Sequence, residues 1–329
     1  KRLHTVSLTC FFIGVLFIFL KFYLDKNFGL LTPLEFVFHL KVPLTGTSHG
    51  QVFIFMKEVL FPTLLVFFPV RYTLKYLKKK VSFQKICKYC LVTIIILSLV
   101  TSSLVLNQLN FFSYIGSQFT YSDFIETNYT DPSTVQLTFP AKKKNLIHIY
   151  VESLEVSYAS KENGGAADLE LLPGLTELAK DNLNFSPTAS LGGFYQVPGT
   201  NWTSAALISQ SSGLPVLLPL TSKVYTQGAK FMPGATTLGD ILAQQDYNQM
   251  VMFGSDARFG ARNLYYQTHG NYQIFDLNTA KEEGLIPQDY SQWWGFEDSK
   301  LFTFAREKLN DLSSDSQPFE LDLMTANTH

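Results

Sequence analysis

Beyond position 90 the chain of 329 residues has no cysteine; the three it carries are Cys10, Cys87 and Cys90. That absence excludes a disulfide framework for the larger part of the protein, even in an oxidising space. Cys87 and Cys90 form a lone CxxC. Without a second pair or partnering histidines it is weak evidence for metal, and it reads as an incidental pair at a membrane boundary. Charge is scarce too: 16% of residues are charged, 46% are hydrophobic, 29 are Phe, and the formal net charge is -1. So apolar a chain is not an ordinary soluble enzyme, and membrane spans are the first thing to seek. Acids are nearly missing from the first third. Residues 1–106 hold 13 basic and 3 acidic side chains, whereas residues 107–329 hold 13 and 24. The acidic balance of the second part argues against a nucleic-acid partner.

Three stretches approach the length needed to cross a hydrocarbon core of about 30 Å. Residues 6–24 are apolar apart from Lys21, which can snorkel from one end. Residues 52–70 are interrupted by Lys57 and Glu58, and residues 89–106 are uninterrupted. Between the second and third spans the segment 71–88 holds Arg71, Lys75, Lys78, Lys79, Lys80, Lys85 and Lys88 and no acid. Positive loops stay inside, so this loop is expected in the cytoplasm and everything after 106 outside. The first span lacks a small-residue cleavage site and does not read as a cleaved signal peptide. The expected organisation is a transmembrane region over 1–106, a connector over 107–144, and an extracytoplasmic domain over 145–329.

That last region alternates between two periods. NLIHIYVES (145–153), NQMVMFGSD (248–256) and FELDLMTANTH (319–329) read as strands, the first as a buried one. PGLTELAKDNL (173–183), TTLGDILAQQD (236–246) and FEDSKLFTFAREKLNDL (296–312) have helical spacing, with Pro or Thr at two of the starts. Alternating strands and helices predict an α/β domain with a mostly parallel sheet flanked by helices. Such sheets gather functional groups beyond their carboxyl ends, where Glu152, Asp256, Asn327 and His329 fall. The strand running into MTANTH reads as a domain truncated at its C-terminal side.

Glu152 ends an apolar strand, where a carboxylate is costly unless bonded or bound to metal. It can be a strand-end acid bonded to backbone N–H groups, or a metal ligand. Thr203, in PGTNWTSAALISQ, opens a helix and allows three readings. It can cap the helix, with Asn201 and Ser204 as rivals. It completes an N-x-T sequon on Asn201, as Thr130 does on Asn128. Or it is a nucleophile, which needs a base or metal to take its proton. Arg262 offers a fork suited to phosphate oxygens or to a surface salt bridge, with Arg258 as the rival arginine. His148, inside an apolar strand, reads as a core histidine, and His269 as a helix-end neighbour of Gly270.

Taken together, YVESLE, PGTNWTSAALISQSSGLPVLLPL, TTLGDILAQQDYNQMVMFGSDARFGARNLYYQTHG, WWGFEDSKLFTF and MTANTH make residues 145–329 resemble the membrane phosphoglycerol transferases that modify periplasmic glucans. These belong to the sulfatase and alkaline-phosphatase-like group, with lipoteichoic acid synthase a more distant relative. The resemblance implies a divalent metal, manganese or magnesium, held by Glu152 and Thr203, and a nucleophilic Thr203. It implies that Asp256, Phe259 and Arg262 bind the phosphate and glycerol of the head group, and that His329 lies at the catalytic centre. Gly260 stands where lipoteichoic acid synthase has a tryptophan, so glycerol packing is expected to differ. The family's further Asp-His metal pair has no counterpart before residue 329, so the chain by itself is expected to bind metal poorly and to be inactive. The implied activity moves glycerophosphate from phosphatidylglycerol in the bilayer to a glycan acceptor, on the outer side of the cytoplasmic membrane. Rival expectations are a phosphoethanolamine transferase acting on lipid A or a glycan, a sulfatase or phosphatase, and a membrane scaffold without chemistry. The cysteine-free outer region counts against most sulfatases, whose nucleophile is a modified Cys or Ser.

Overall fold

A computed structural model describes residues 2–29, 31–42, 44–47, 49–78, 84–186, 188, 190–193, 195–218, 230–290 and 292–328. The chain divides into two compact units. The first comprises Lys1–Lys41, Thr47–Tyr129 and Leu218–Ser222, the second Val42–Gly46, Thr130–Leu217 and Lys223–His329.

The first unit is helical: α1 (Arg2–Phe28), α2 (Pro33–Lys41), α3 (His49–Phe55), a π-helical turn (Met56–Leu60), α4 (Phe61–Lys78), α5 (Gln84–Gln108), α6 (Phe111–Ser117) and α7 (Phe124–Asn128). Among the described residues, three stretches are long and apolar enough to cross a membrane: Thr5–Phe28, His49–Tyr76 and Tyr89–Gln108. The second absorbs its charged interruption locally. Glu58, in the π turn, pairs with Lys26 of α1 and accepts from the Asn27 amide at 3.3 Å. Helices α1 and α5 approach closely at Gly14, where a methyl group would stand 3.0 Å from the Ser98 side chain; small residues let membrane helices pack this way. Residues 79–83 of the basic loop lie outside the described residues.

The second unit holds β1 (Leu146–Tyr150), α8 (Pro173–Asp181), α9 (Thr203–Ser212), α10 (Leu238–Ala243), β2 (Asn248–Phe253), α11 (Arg262–Thr268), β3 (Gln273–Phe275), α12 (Leu277–Glu282), α13 (Asp298–Ser314) and β4 (Phe319–Met324). The four strands form one parallel sheet in the order β1-β4-β2-β3. This is the α/β architecture that the alternating pattern predicts. Strand β4 enters last, between β1 and β2, so all strands end at one edge. Phe319, Leu321 and Leu323 of β4 share a core with Met250 and Met252 of β2 and with Leu301, Phe304, Ala305 and Leu312 of α13. Helix α10 starts with a complete capping box between Thr237 and Asp240, which satisfies two otherwise free backbone N–H groups.

Strand β1 departs from the buried strand expected of it. Ile147, Ile149 and Val151 are 46%, 50% and 39% exposed. The reason is position: β1 is an edge of the described sheet, paired only to β4, so its apolar run is half covered.

Candidate active site at the carboxyl edge of the sheet

Glu152 follows β1 by two residues and is fixed on both sides by the end of β4. Its backbone N–H donates to Thr325 Oγ1 at 3.1 Å, and its carbonyl accepts from the Thr328 hydroxyl. Thr325 N–H in turn donates to the Tyr150 carbonyl at 3.0 Å, extending the ladder one step past the strand. Ser153 has a positive φ of 55°, an uncommon conformation for a non-glycine residue. Its hydroxyl donates to Glu152 Oε1 at 3.2 Å.

The same carboxylate oxygen accepts from Thr203 Oγ1 at 2.8 Å. Thr203 is the first residue of α9, and the capping position belongs to Trp202, which is extended and makes no side-chain cap. The Thr203 hydroxyl therefore does not serve the helix start but points to an acid from another strand. Its rivals are occupied differently: Ser204 Oγ donates to the Gly260 carbonyl at 2.9 Å. Helix α9 has ten residues and ends at Gly213, whose φ is 71°. Its amino end thus places a partial positive charge beside Thr203, suited to an approaching anion.

Asp256 lies past the end of β2 and is buried, 5% exposed. Arg258 grips it through Nε and Nη2, at 3.0 and 2.5 Å. Burial pushes the Asp256 carboxyl up, but hydrogen bonds from Arg258 and Asn278 and the Arg258 charge outweigh it and hold it below the usual range. Arg262 is also buried. Its Nε donates to the Phe259 carbonyl at 3.0 Å, and Nη2 to Ser255 Oγ at 3.0 Å and the Asp256 carbonyl at 2.7 Å. The guanidinium stacks 4.6 Å over the Phe253 ring. Burial lowers its pKa to about 10, opposed by the charges of Glu152, Asp256 and Asp276. Much of the fork thus shapes the 255–259 turn, with Nη1 left to the Met324 sulfur at 4.0 Å. Arg258, the rival arginine, has a 52% exposed side chain, whereas Arg262 is 4% exposed.

Phe259 packs against Trp294 in a tilted arrangement, with ring centroids 5.3 Å apart and planes at 41°. Gly260 next to it has φ +66°, and a methyl group there would stand 2.4 Å from Ser204 Oγ. A tryptophan at this position would force α9 away, so the aromatic partner of Phe259 comes from Trp294. Three further supports carry no signal in the residue pattern. Asp298 Oδ1 and Oδ2 accept from the N–H groups of Ala326 and Asn327 at 2.7 and 3.1 Å, clasping the segment after β4. Thr325 holds Glu152 as described. Gly46, from the short Val42–Gly46 piece of this unit, lies where a methyl group would stand 3.0 Å from Asp256 and 3.2 Å from Phe259. His329 lies outside the described residues. His269 bonds Asp240 Oδ2 at 2.8 Å and the Phe231 carbonyl at 2.7 Å, a buried anchor at the end of α11.

The donor set at this edge fits a divalent cation in part. Two oxygens of different residues stand 2.8 Å apart, one a carboxylate, in a partly open position; hard cations take such oxygen ligands. Among the described residues, a different group satisfies the geometry of a three-ligand metal site: His148, Glu320 and Asp322. A cavity of about 990 Å³ opens at the opposite, amino end of the sheet between Lys143, Asn145, Gln245 and Pro318. It therefore does not mark the threonine site.

A hydroxyl, a carboxylate and a buried arginine thus stand near the carboxyl edge of an α/β sheet. Comparison with known proteins narrows the class. No family model matches the chain. Over 201 residues it is 32% identical to phosphoglycerol transferase I of Escherichia coli O127:H6 (strain E2348/69 / EPEC), covering 61% of this chain. The match covers 24% of that relative, so the chain spans about a quarter of the length of the curated relatives it matches. The resemblance to phosphoglycerol transferases read in residues 145–329 is thus found independently. Two solved structures are also similar. An alkaline phosphatase superfamily protein from Vibrio parahaemolyticus matches at 22% identity and TM-score 0.42, over 58% of this chain and 42% of that one. The integral membrane protein lipooligosaccharide phosphoethanolamine transferase A from Neisseria meningitidis matches at 15% identity and TM-score 0.44, over 93% and 55%.

Proposed function

We propose that this chain carries the membrane-anchored nucleophile of a phosphotransferase that moves glycerophosphate from phosphatidylglycerol to a glycan acceptor, outside the cytoplasmic membrane. The observation that carries the reading is the 2.8 Å contact between Thr203 Oγ1 and Glu152 Oε1. A threonine hydroxyl is a poor nucleophile until its proton has an acceptor, and here one stands within hydrogen-bond reach. Three membrane-length helices in the same chain suit a lipid donor, and the 32% identity to phosphoglycerol transferase I supports the same head group.

In this reading the Thr203 oxygen attacks the head-group phosphorus, and the bond from phosphorus to the diacylglycerol oxygen breaks. Diacylglycerol leaves with a proton, and glycerophosphate remains esterified to Thr203. An acceptor hydroxyl then displaces Thr203, which regains a proton, with His329 assigned to assist. A manganese or magnesium ion at Glu152 and Thr203 would lower the hydroxyl pKa and offset phosphoryl charge. The amino end of α9 faces the developing anion. Asp256, Phe259 and Arg262 are assigned to the head group, with Arg262 acting chiefly by holding the turn that carries the other two.

The test is head-group transfer by the full-length protein in proteoliposomes, with labelled phosphatidylglycerol or labelled phosphatidylethanolamine and a glucan acceptor. Label should pass from phosphatidylglycerol, and Thr203→Ala should reduce transfer at least about 10³-fold, as nucleophile removal does. Transfer from phosphatidylethanolamine alone would replace the donor, and undiminished transfer by the alanine variant would remove Thr203 from the chemistry.

A further inference from the structure

Away from the threonine site, three side chains converge on one face of the sheet. His148 of β1 lies directly beside Asp322 of β4, and Glu320 is two residues before Asp322. Side chains alternate along a strand, so all three share a face. His148 Nδ1 is 3.1 Å from Asp322 Oδ1 and 3.6 Å from Glu320 Oε1. One ligand atom from each residue falls within 4.8 Å of the others. Both acids are almost fully buried, at 1% and 2% exposure.

Glu320 is the telling residue. Its Oε2 accepts from the Tyr272 hydroxyl, but buried Oε1 has no hydrogen-bond partner. An unsatisfied buried oxygen is costly, and a second carboxylate beside it adds repulsion. Burial and the Asp322 charge push the Glu320 carboxyl up to about 7. The unpartnered oxygen is aimed into the space shared with His148 and Asp322.

We propose that His148, Glu320 and Asp322 form a second metal site, for a divalent cation of the zinc class. Tetrahedral zinc with bonds of about 2.0–2.1 Å separates its ligand atoms by about 3.3 Å, and the two histidine distances bracket that value. Two carboxylates, one neutral imidazole and a dication sum to zero charge, the form that burial tolerates best. An imidazole among the ligands favours zinc over magnesium or calcium, which prefer all-oxygen shells of six or more. A water can complete four ligands. The His148 side chain is 33% exposed at the sheet edge, which gives the ion a way in. Glu152 lies four residues beyond His148, about 13 Å along the chain at about 3.3 Å per residue. An ion held here ties β1 to β4 beneath the threonine site without touching Thr203, and the inference stands whatever reaction that site performs.

The experiment uses the full 329-residue chain in detergent, stripped with chelator and then equilibrated with zinc alone. Elemental analysis should find one tightly held zinc per chain in wild type and in Glu152→Gln, which lacks the other acid. His148→Gln, at a half-open position, should weaken zinc binding at least tenfold without altering the circular dichroism of the metal-free protein. X-ray absorption of zinc-loaded Glu152→Gln should show one imidazole with oxygen neighbours, a readout that does not depend on the His148 variant folding. Absence of tight zinc in wild type, equal zinc affinity in wild type and His148→Gln, or a shell without imidazole would each overturn the proposal.

Discussion

Phenylalanines along the long apolar helices of the first unit are bare where those in the sheet core of the second are covered. In the helical unit Phe22, Phe53 and Phe61 are 67%, 68% and 64% exposed, whereas in the α/β unit Phe253 and Phe275 are 0% and 2% exposed. Charge follows the reverse rule. Glu58 meets Lys26 at the helix surface, while Asp256, Arg262, Glu320 and Asp322 are all buried within the α/β unit. The first pattern suits a unit whose solvent is lipid, where apolar surface needs no cover. The second suits a unit in water that excludes solvent from groups that must act on or hold charge. What looks like one apolar chain by composition is therefore two solutions to solvation, joined in sequence.

That contrast can be broken by matched substitutions. Phe275→Ala should cost about 3–5 kcal/mol, the range for emptying a large buried aromatic site. Phe61→Ala should stay within about 0.5 kcal/mol for thermal unfolding in detergent, as exposed positions do. Equal losses would mean that the helical unit buries its aromatics after all. A smaller effect sharpens the charge half of the comparison. Asp256→Asn should cost about 1–2 kcal/mol at neutral pH by weakening charged hydrogen bonds. The sign follows from its lowered pKa. Its contribution is complete above the ordinary aspartate value of 3.8 and is lost as pH falls through the folded-state value below that. The gap between wild type and variant in thermal midpoint should therefore close in acid; a gap that widens there would contradict the Arg258 pairing.

Much of this was legible in the residues, because the signals were local. Apolar runs gave β1, β2 and β4, a threonine at the start of the 236–246 segment marked α10, and the helical period marked α13. That Glu152 and Thr203 belong to one site was implied by the resemblance to the phosphoglycerol transferases, whereas their strand-end and helix-start positions alone left other readings open. Strand β3 was missed because three residues carry no period. The exposure of β1 was missed because an apolar run does not say whether its strand is an edge. His148 read as a core residue for a related reason: its partners lie on β4, 174 residues away in Asp322, and only the strand register brings them together. The Asp298 clasp and the contact of Gly46 with the 256–259 turn are likewise products of tertiary structure. Gly260 could be seen as a departure from lipoteichoic acid synthase, but its cause, the hydroxyl of Ser204 pressed against it, could not.

The central claim is that Thr203 carries the transferred group, and mass spectrometry reads it directly. Full-length protein is incubated with phosphatidylglycerol without acceptor, quenched in acid and digested. The peptide containing Thr203 should gain the mass of one glycerophosphoryl group, with fragment ions placing it on that side chain, and lose it when glucan is added before quenching. Steady transfer with that peptide unmodified throughout, or with the adduct on another residue, would contradict the account.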